Sequence, residues 1–572
     1  MKMKNKGKRF LALLLACALM AGPAAGCQSG ENASEGGSSA GSGESSGSAP
    51  VEDADPYGPM PERVTLTIGR SEDANVTYVE GENSADNYVV RYMSDKLNID
   101  YKHAFSVPDT EYSNKVSLAI TGGDIPDTMT VSEIQLRQLV EADMIEDLTD
   151  VMNTYMSDSL KARYDTTDGY ALESATFDGK IMAIPNVNAG EDAIPMLYIR
   201  QDWLKECGLE APKTMEDVIN IAKTFKEKKM GGENTCGLLV QQEIVTVGNS
   251  MYGLDAVFGV HHSFPELWYT KDDGSLTYGS IEPETKEALG QLRQMVEDGV
   301  IEKEFSVRDQ DKCNELVTSG KAGIFFACWW NLNWPLFDMT KEDPNVEWDA
   351  YMVPLDEDGK YNTHMMAPST NYQVVRKGYE YPEAVVKTAN MQVDIDIDQG
   401  NSIKESNDIS FSWTMMPFSL LLTGYDTRQT DAIRTLDIAE GRITEDQYTD
   451  AEKNVINDPE RYKVSQYNAI KTFNEGGYPA LFENNLNSPW AFWKGCHIMA
   501  LEQENTNHVM GATYSYSPTM ESKWATLQKL ESETFLQILT GDKPLDEFDT
   551  FVSQWKSLGG DTILQELTDM MK

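Results

Sequence analysis

Residues 197–217 read LYIRQDWLKECGLEAPKTMED, and the end of this stretch predicts the start of a helix. Pro212 ends the preceding segment, Thr214 can cap the helix, and Asp217 stands three residues later, close to the pattern of a capping box. The apolar side chains that follow keep helical spacing and belong to one face: Val218, Ile219, Ala222 and Phe225. Such a stripe is typical of a helix packed on a core, not of a binding site.

The chain before this stretch alternates short strands with helices. Residues 64–68 (VTLTI) have the period of two that is typical of a strand, and residues 86–97 are predicted as a helix. A second strand is predicted at 99–105 and a second helix at 111–120, ending at the glycines 122–123. This β-α-β-α order predicts an α/β fold.

The chain after this stretch contains further amphipathic helices. One is predicted at 284–298 with Gly299 as its stop, and another near the C-terminus ends at Gly559-Gly560. The apolar residues of the second keep helical spacing: Leu545, Phe548, Phe551, Val552, Trp555 and Leu558. About 510 residues follow the N-terminal segments, too many for a single core and enough for two lobes.

The first 26 residues predict a signal peptide. Basic residues precede the apolar run Phe10–Met20, which is too short to span a bilayer, and small residues lead to Cys27. This end resembles the processing site of bacterial lipoproteins, which implies a lipid on Cys27 and a place on the extracellular face of the cell membrane. Residues 27–60 then form a Gly/Ser-rich tether. An ordinary secretory signal, cut at an A-x-A-like site, is the alternative.

Charge and cysteine usage exclude several classes of protein. The formal net charge is −44, and loss of the five basic residues of the signal would take it to −49. This charge argues against nucleic acid or anionic lipid as a partner. Five cysteines remain beyond Cys17 and Cys27, without a C-x-x-C pair. They indicate neither a zinc site nor a disulfide framework, and most are expected to be buried.

No motif for catalysis is present. The six histidines lack metal-binding spacing, and Ser319-Gly320-Lys321 lacks the other residues of a phosphate-binding loop. We therefore predict neither an enzyme nor a cofactor. Asp394, Asp396 and Asp398 could suggest a calcium loop, but Gly400 falls at its seventh position instead of the sixth. A solvated, acidic helix end is the favoured interpretation.

Tryptophans are the clearest candidates for binding. They fall into three groups: Trp329, Trp330 and Trp334, then Trp413, then Trp490 and Trp493 with Phe492. Sugars present apolar C–H faces between hydroxyls, so flat rings with polar neighbours suit them. A core role for any single tryptophan remains an equal alternative.

Several segments, in order, resemble the solute-binding lipoproteins of carbohydrate ABC importers, which are related to maltose-binding protein. The matching motifs are GGDIPD at 122–127, DGKIMAIP at 178–185, the stretch at 197–217, SGKAGI at 319–324, and the helix ending in Leu558-Gly559-Gly560-Asp561. The resemblance covers residues 62 to 572. It implies a two-lobed, periplasmic-binding-protein-like α/β fold with a hinge and an interlobe cleft.

The resemblance also implies discontinuous lobes. The chain would cross the hinge two or three times, near Ile184–Leu197 and near Tyr351–Tyr372. The expected segments are 61–185 for lobe 1, 186–350 for lobe 2, 351–400 for a return to lobe 1, and 401–572 for the rest of lobe 2.

By position within the family, three regions would supply the ligand contacts, and Asp127 would be a structural loop residue. The cleft candidates are Arg70, Glu72, Asn83, Ser132, Glu133 and Gln135 from lobe 1, Asn188 from the hinge, and Gln242, Glu243, Trp329, Trp330, Trp334, Trp413, Trp490 and Trp493 from lobe 2. The implied partners are a carbohydrate ligand and ABC permease subunits, met by a lipid-anchored monomer.

Three other functions remain open at this point. An extracellular glycoside hydrolase or lyase would show turnover, a peptide importer component would favour backbone-pairing groups, and a sensor or adhesin lipoprotein would have no role in transport.

Overall fold

The computed structural model describes residues 54–571, apart from 74–75, 77, 247–250, 272, 344, 398–399, 401–402 and 404–410. The predicted signal peptide, Cys27 and most of the tether lie outside these residues. The described residues belong to one unit, Glu52–Lys572. No helix within them combines the length and the apolar character needed to cross a membrane.

The described strands are short and fall into five sheets. They are β1 (Val64–Glu72), β2 (Ile99–Pro108), β3 (Thr128–Ser132), β4 (Thr176–Phe177), β5 (Lys180–Ile181), β6 (Ile184–Pro185), β7 (Met196–Arg200), β8 (Trp268–Thr270), β9 (Leu276–Tyr278), β10 (Ile324–Ala327), β11 (Trp348–Tyr351), β12 (Tyr361–His364), β13 (Asn371–Val375) and β14 (Thr506–Val509).

Two of these sheets organise the fold. The larger has the order β2-β1-β3-β13-β6, in which β1 is parallel to β2 and β3 while β13 is antiparallel to β3 and β6. The smaller has the order β10-β7-β11, with β7 antiparallel to both neighbours. Strand β12 pairs with β14, and two hairpins, β4-β5 and β8-β9, complete the set among the described residues.

Helices surround both sheets. They are α1 (Tyr88–Leu97), α2 (Asp109–Gly122), α3 (Glu133–Glu141), α4 (Thr149–Tyr155), α5 (Asp158–Asp165), α6 (Tyr170–Ser174), α7 (Gln201–Cys207), α8 (Met215–Glu227), α9 (Asp255–Val260), α10 (Pro283–Glu297), α11 (Gln310–Thr318), α12 (Leu336–Glu342), α13 (Pro382–Ile397), α14 (Thr427–Ala439), α15 (Asp450–Asn457), α16 (Pro459–Lys463), α17 (Gln466–Glu483), α18 (Asn487–Leu501), α19 (Pro518–Thr540), α20 (Glu547–Trp555) and α21 (Asp561–Met570).

The local predictions agree closely with these elements. Thr214 caps α8 and forms a reciprocal capping box with Asp217, as predicted. The predicted β-α-β-α start corresponds to β1, α1, β2 and α2, with ends that differ by at most three or four residues. Four of the five described cysteines are buried, in agreement with the expectation for most of them.

Two further predictions concern helix ends. Near the C-terminus, α20 ends at Trp555, a wider turn covers Lys556–Gly560, and a new helix, α21, begins at Asp561. Gly559 has φ 137°, a conformation that suits glycine, so the helical path is broken at Gly559-Gly560, as predicted, and resumes directly after it. Asp394 and Asp396 lie in the last turns of helix α13, which agrees with the favoured interpretation as a helix end and not with the calcium-loop alternative, although both side chains are half-buried and not fully solvated. Asp398 lies outside the described residues.

The buried apolar side chains separate into cores that follow the two main sheets. Two clusters, which we call the N-terminal cores, cover opposite faces of the larger sheet; neighbouring residues Val374 and Val375 belong to different ones because strand side chains alternate. A third and larger cluster, the C-terminal core, surrounds the smaller sheet and its helices.

The chain changes core three times. It leaves the N-terminal cores for the C-terminal core between Val187 and Ile194, and it returns to the N-terminal cores between Met365 and Tyr372. It enters the C-terminal core again between Leu422 and Tyr425. The expected segments differ in two places. Residues 352–365 pack in the C-terminal core because β12 pairs with β14, and residues 415–422 pack in the N-terminal cores.

Candidate functional site

Three chain segments run side by side where the cores meet, and we call them the three crossings: residues 186–195, 365–371 and 421–428. The first crossing lies between the other two. Val187 N donates to Leu421 O at 3.0 Å, and Asn188 N donates to Pro368 O at 2.9 Å. Backbone hydrogen bonds of this kind tie the crossings into one narrow ribbon, which is a suitable hinge because few contacts must change when the cores rotate.

Close backbone approach and buried amides hold the ribbon together. Gly190 N donates to Tyr425 O at 2.7 Å, and a Cβ on Gly190 would meet the Tyr425 ring at 2.5 Å, so a larger residue does not fit there. Asn188 is buried; its Nδ2 donates to Ala367 O at 2.8 Å, and its Oδ1 accepts from Asn186 at 2.7 Å. Asn188 was predicted as a ligand residue at the hinge; in the structure its side chain links the first two crossings, and its contact with a ligand stays a prediction.

The carboxyl edge of the larger sheet faces the C-terminal core. Glu133 follows the end of β3, and its Oε1 accepts from Tyr516 N at 3.3 Å. The rings of Tyr170 and Tyr514 meet edge to face nearby, with centroids 5.5 Å apart. Open α/β sheets bind their ligands outside the carboxyl ends of their strands. This edge is therefore the candidate cleft.

An ion pair and an indole join two crossings to the end of β10, and we call Asp192, Arg428 and Trp329 the hinge node. Asp192 Oδ1 accepts from Arg428 Nε at 2.9 Å and from Trp329 Nε1 at 2.8 Å. The Arg428 guanidinium also lies 4.8 Å from the centre of the Trp329 ring. Trp329 is only 3% exposed, so its ring is not open to a ligand in this conformation.

Glu191 is buried beside the hinge node and has an unusual carboxyl group. It is 2% exposed, and its Oε2 makes no hydrogen bond among the described residues. Burial raises the pKa of Glu191 from 4.5 to about 7, and the neighbouring Asp192 charge adds to the rise. Between pH 4.5 and about 7, the folded protein therefore holds a proton on this group that the unfolded chain releases.

We expect this group to make stability depend on pH. Its contribution is fully present below pH 4.5 and is lost as the pH rises through about 7, a change of at most about 3 kcal/mol. Glu191→Gln, which keeps the neutral shape, should flatten this fall in the free energy of unfolding. Urea unfolding at pH 5 and pH 8 measures the difference in the free energy of unfolding between the two pH values, and the surface variant Glu287→Gln is the control. Parallel pH profiles for Glu191→Gln and the parent protein would contradict the assignment.

Arg70 is buried under the loop that carries Trp413. Its Nη1 donates to Met416 O at 2.6 Å, and its Nη2 donates to Thr414 O. Trp413 is half-buried at the start of a short 3-10 turn, Trp413–Met415, and packs against the N-terminal cores. Arg70 thus positions this loop, and its guanidinium is already engaged with backbone carbonyls.

The other predicted residues of the N-terminal half are divided between turns and the edge of the sheet. Asn83 Oδ1 accepts from Ala85 N at 2.9 Å, which closes a local turn. Ser132 and Gln135 form the capping box of α3. Glu72 ends β1, is half-buried, and accepts from the hydroxyls of two serines that the sequence did not single out, Ser84 and Ser106.

The remaining polar candidates are exposed or structural. Gln242 and Glu243 are exposed just after residues 238–241, which lie beside β10 through a parallel bridge between Leu239 and Phe325. Asp127 accepts from Thr67 and Arg376, the latter at 2.7 Å, which confirms it as a structural loop residue.

The tryptophans of the C-terminal half fall into two kinds. Trp330 and Trp334 are stacked, with centroids 6.2 Å apart and 28° between planes, and Trp334 is 45% exposed. Trp490 and Trp493 are buried on α18. Trp493 Nε1 donates to Ala432 O at 3.0 Å, and Trp490 lines an apolar cavity of about 200 Å³ with Trp348 and Phe337. The structure therefore does not bring all the predicted tryptophans to one surface.

Sequence reasoning missed several groups at the junction of the cores. Asp192, Arg428, Tyr514 and Tyr516 belong to no motif, and Asp192 and Arg428 are 236 residues apart in the chain. Within the described part of the chain, no group of three or more His, Cys, Asp or Glu side chains is placed to hold a metal ion.

Comparisons with known proteins relate this chain to extracellular solute-binding proteins. The profile of the family described as bacterial extracellular solute-binding protein matches residues 87–391. The chain is 25% identical over 231 residues to the polygalacturonan/rhamnogalacturonan-binding protein YtcQ of Bacillus subtilis, covering 39% of this chain and 43% of that protein. It is 28% identical over 238 residues to the fructooligosaccharide ABC transporter substrate-binding protein FusA of Streptococcus pneumoniae, covering 39% and 43%. The chain thus spans about two fifths of the length of these relatives.

A solved structure extends the likeness to almost the whole chain. A solute-binding protein of Bifidobacterium longum infantis, described as HMO-binding and ABC-transporter-associated, covers 90% of this chain and 99% of its own. The TM-score is 0.57 and the sequence identity 12%. A likeness at this identity concerns the fold, and it confirms the predicted two-lobed α/β architecture.

Proposed function

The chain belongs to the bacterial extracellular solute-binding proteins, and we propose that it captures a saccharide between two lobes and delivers it to an ABC permease. The observation that carries this proposal is the ribbon of three crossings between separate cores. Such a ribbon lets two rigid bodies close on a ligand, and a permease can then distinguish the closed form from the open one.

We place the lobe boundaries where the chain changes core. The first lobe then comprises residues 54–187 and 372–422, and the second comprises 194–365 and 425–571. The buried apolar clusters support this division, since each lobe keeps its own sheet and its own interior.

Two aromatic surfaces are proposed for the ligand. Trp413 belongs to the first lobe, while Trp330 and Trp334 belong to the second, and these three tryptophans are not fully buried. Glu72 and Glu243 supply acceptors for hydroxyl groups from opposite lobes. A saccharide between such surfaces would stack its C–H faces on the rings and donate its hydroxyls to the carboxylates.

A ligand screen tests the function. We expect at least one oligosaccharide of a glycan library to raise the melting temperature of the protein, with a shift that grows with the logarithm of its concentration. Calorimetry should then give a stoichiometry of one, and assays of reducing ends should show no cleavage. A library without any stabilising saccharide, or release of reducing ends that a single Glu or Asp substitution abolishes, would overturn the proposal.

We also propose that the protein is lipid-anchored on the extracellular face through Cys27. The support is the resemblance of the N-terminal segment to lipoprotein processing sites, together with the Gly/Ser-rich tether that follows. Mass spectrometry of the mature N-terminus should find a lipid-modified Cys27. An unmodified N-terminus near residue 26 would indicate an ordinary secretory signal instead.

A further inference from the structure

The two proposed lobes contact each other outside the three crossings. Glu133 belongs to the first lobe, and its Oε1 accepts from the backbone N of Tyr516, in the second lobe, at 3.3 Å. Tyr170 of the first lobe meets Tyr514 of the second edge to face, with ring centroids 5.5 Å apart. Each contact joins two bodies that can rotate about the ribbon, so opening of the lobes breaks it.

The order of the strands places the first of these contacts beside the hinge. In the sheet order β2-β1-β3-β13-β6, the first crossing leaves from β6, the second leads into β13, and β3 is the next strand outwards. Glu133 directly follows β3, so it lies one strand beyond the ribbon. Because Glu133 lies off the ribbon, a rotation of the lobes changes its distance from Tyr516.

Glu133 is held in place on its own lobe. Arg137, one turn further along α3, pairs with Glu133 Oε1 at 2.9 Å, and its guanidinium lies 5.5 Å from the centre of the Phe177 ring. The Glu133 side chain is 18% exposed. A carboxylate that is already held in one position loses little entropy when Tyr516 N reaches it.

The opposing segment, residues 511–517, is tied to the second crossing. The Tyr514 hydroxyl donates to Met365 O at 3.4 Å. Tyr516 precedes Ser517, the N-cap residue of the 23-residue helix α19, and the positive end of a long helix favours a carboxylate beside it. The second lobe thus presents a backbone N–H and a tyrosine ring to the first lobe from a fixed position.

We propose that Glu133, Tyr170 and residues 511–517 form a latch, which favours the closed arrangement of the lobes before a saccharide binds. The latch rests on the proposed function, because it acts only in a protein whose lobes open and close. Glu133 and Tyr170 are then positioning residues, which act on the equilibrium between open and closed forms instead of touching the saccharide. A saccharide that binds the closed form gains affinity when that form is already populated.

Small-angle X-ray scattering of the mature protein without ligand tests the latch. Tyr170→Leu removes the ring that meets Tyr514 and keeps an apolar side chain, while Glu133→Ala removes the acceptor of Tyr516 N. We expect the variant with both changes to have a larger radius of gyration than the parent, because the open form becomes more populated.

A matched control carries equivalent changes within the lobes. Tyr92→Leu removes an exposed ring of α1, and Glu297→Ala removes the partner of Arg293 in another i,i+4 pair. The radius of this control should equal that of the parent. If the latch variant does not fold, Tyr170→Leu alone is compared with Tyr92→Leu alone. Equal radii for latch variant and control would overturn the latch, whether or not any saccharide binds.

Binding kinetics provide a readout that distinguishes a latch from a ligand contact. With the oligosaccharide that gives the largest shift in the thermal screen, the latch variant should bind about tenfold more weakly and yet associate faster, because the closed form must open before a saccharide enters. Weaker binding with an unchanged association rate would place Glu133 and Tyr170 on the ligand surface and overturn the latch. If no oligosaccharide binds, the proposed function fails, and the scattering of the unliganded protein alone decides whether the two lobes are latched.

Discussion

Asp192→Ala is expected to lower the free energy of unfolding by about 3 kcal/mol, because it removes one acceptor from two buried donors. The Arg428 guanidinium would lose its counter-charge, and the Trp329 indole would lose its hydrogen bond. Both partners of the ion pair keep about a fifth to a quarter of their side-chain surface exposed, at 20% and 24%. The effect should therefore fall at the lower end of the range for a broken buried pair.

The same substitution should also weaken ligand binding, since the hinge node joins the first and third crossings to the loop that carries Trp330 and Trp334. Equilibrium denaturation and calorimetry measure the two effects. Asp165→Ala provides the control, because its pair with Lys161 is more than half exposed and should contribute less than 1 kcal/mol. A loss of stability no larger than that of the control would contradict the role given to the node.

A double-mutant cycle adds a sharper test. Arg428→Met alone and Asp192→Ala alone each leave one group without its partner, whereas the double variant leaves neither charge. We expect the double variant to be more stable than the sum of the single losses predicts, by 1 kcal/mol or more, which is the sign of direct coupling.

Local structure was the part of the fold that the sequence could predict. The capping box of Thr214 and the Gly122-Gly123 stop are decided within a few residues, so the end of α2 and the start of α8 could be predicted from the sequence. The acidic run that begins at Asp394 was predicted as a helix end. Helix α13 does extend through Asp396, because its buried apolar residues keep helical spacing up to Ile395.

Long-range structure was not accessible in the same way. The third crossing lies in residues 421–428, which contain no motif. Its ion pair joins Arg428 to Asp192, which is 236 residues away in the chain. The resemblance to a family gave the two-lobed plan and the first crossing near Ile184–Leu197. It could not show that residues 415–422 pack in the N-terminal cores, because that depends on Arg70 and on contacts with residues distant in sequence.

The candidate site shows the same difference between local features, which the sequence predicts, and long-range contacts, which it does not. The sequence alone does not reveal whether a tryptophan ring lies in a core or at a surface. The group at 329–334 contains both kinds, whereas Trp490 and Trp493 are both buried. Trp490 and Trp493 lie three residues apart on one helix, a spacing that also fits a buried stripe. Trp329 is covered by Arg428 and Phe492, which are distant in sequence.

Trp329 and Trp334 should therefore respond in opposite ways to truncation. Trp329→Ala is expected to lower the free energy of unfolding by about 3–5 kcal/mol, the usual cost of deleting a buried indole, since it also removes the hydrogen bond to Asp192. Trp334→Ala should change stability by less than about 1 kcal/mol, because 45% of the side chain is exposed. Its loss should instead weaken saccharide binding by about 1–3 kcal/mol, the scale of one buried aromatic contact.

Two further variants separate these roles. Trp329→Phe keeps the ring and removes only the donor, so it should cost about 1 kcal/mol of stability, far less than Trp329→Ala. Tyr92→Ala, on the outer face of α1 at 37% exposure, is the control for Trp334→Ala and should leave saccharide affinity unchanged. Denaturation and calorimetry on the four proteins decide the matter. If Trp329→Ala folds as stably as the parent and loses affinity, Trp329 is a ligand residue and the hinge node is not what holds it; if Trp334→Ala binds as the Tyr92 control does, the exposed pair is not the stacking surface.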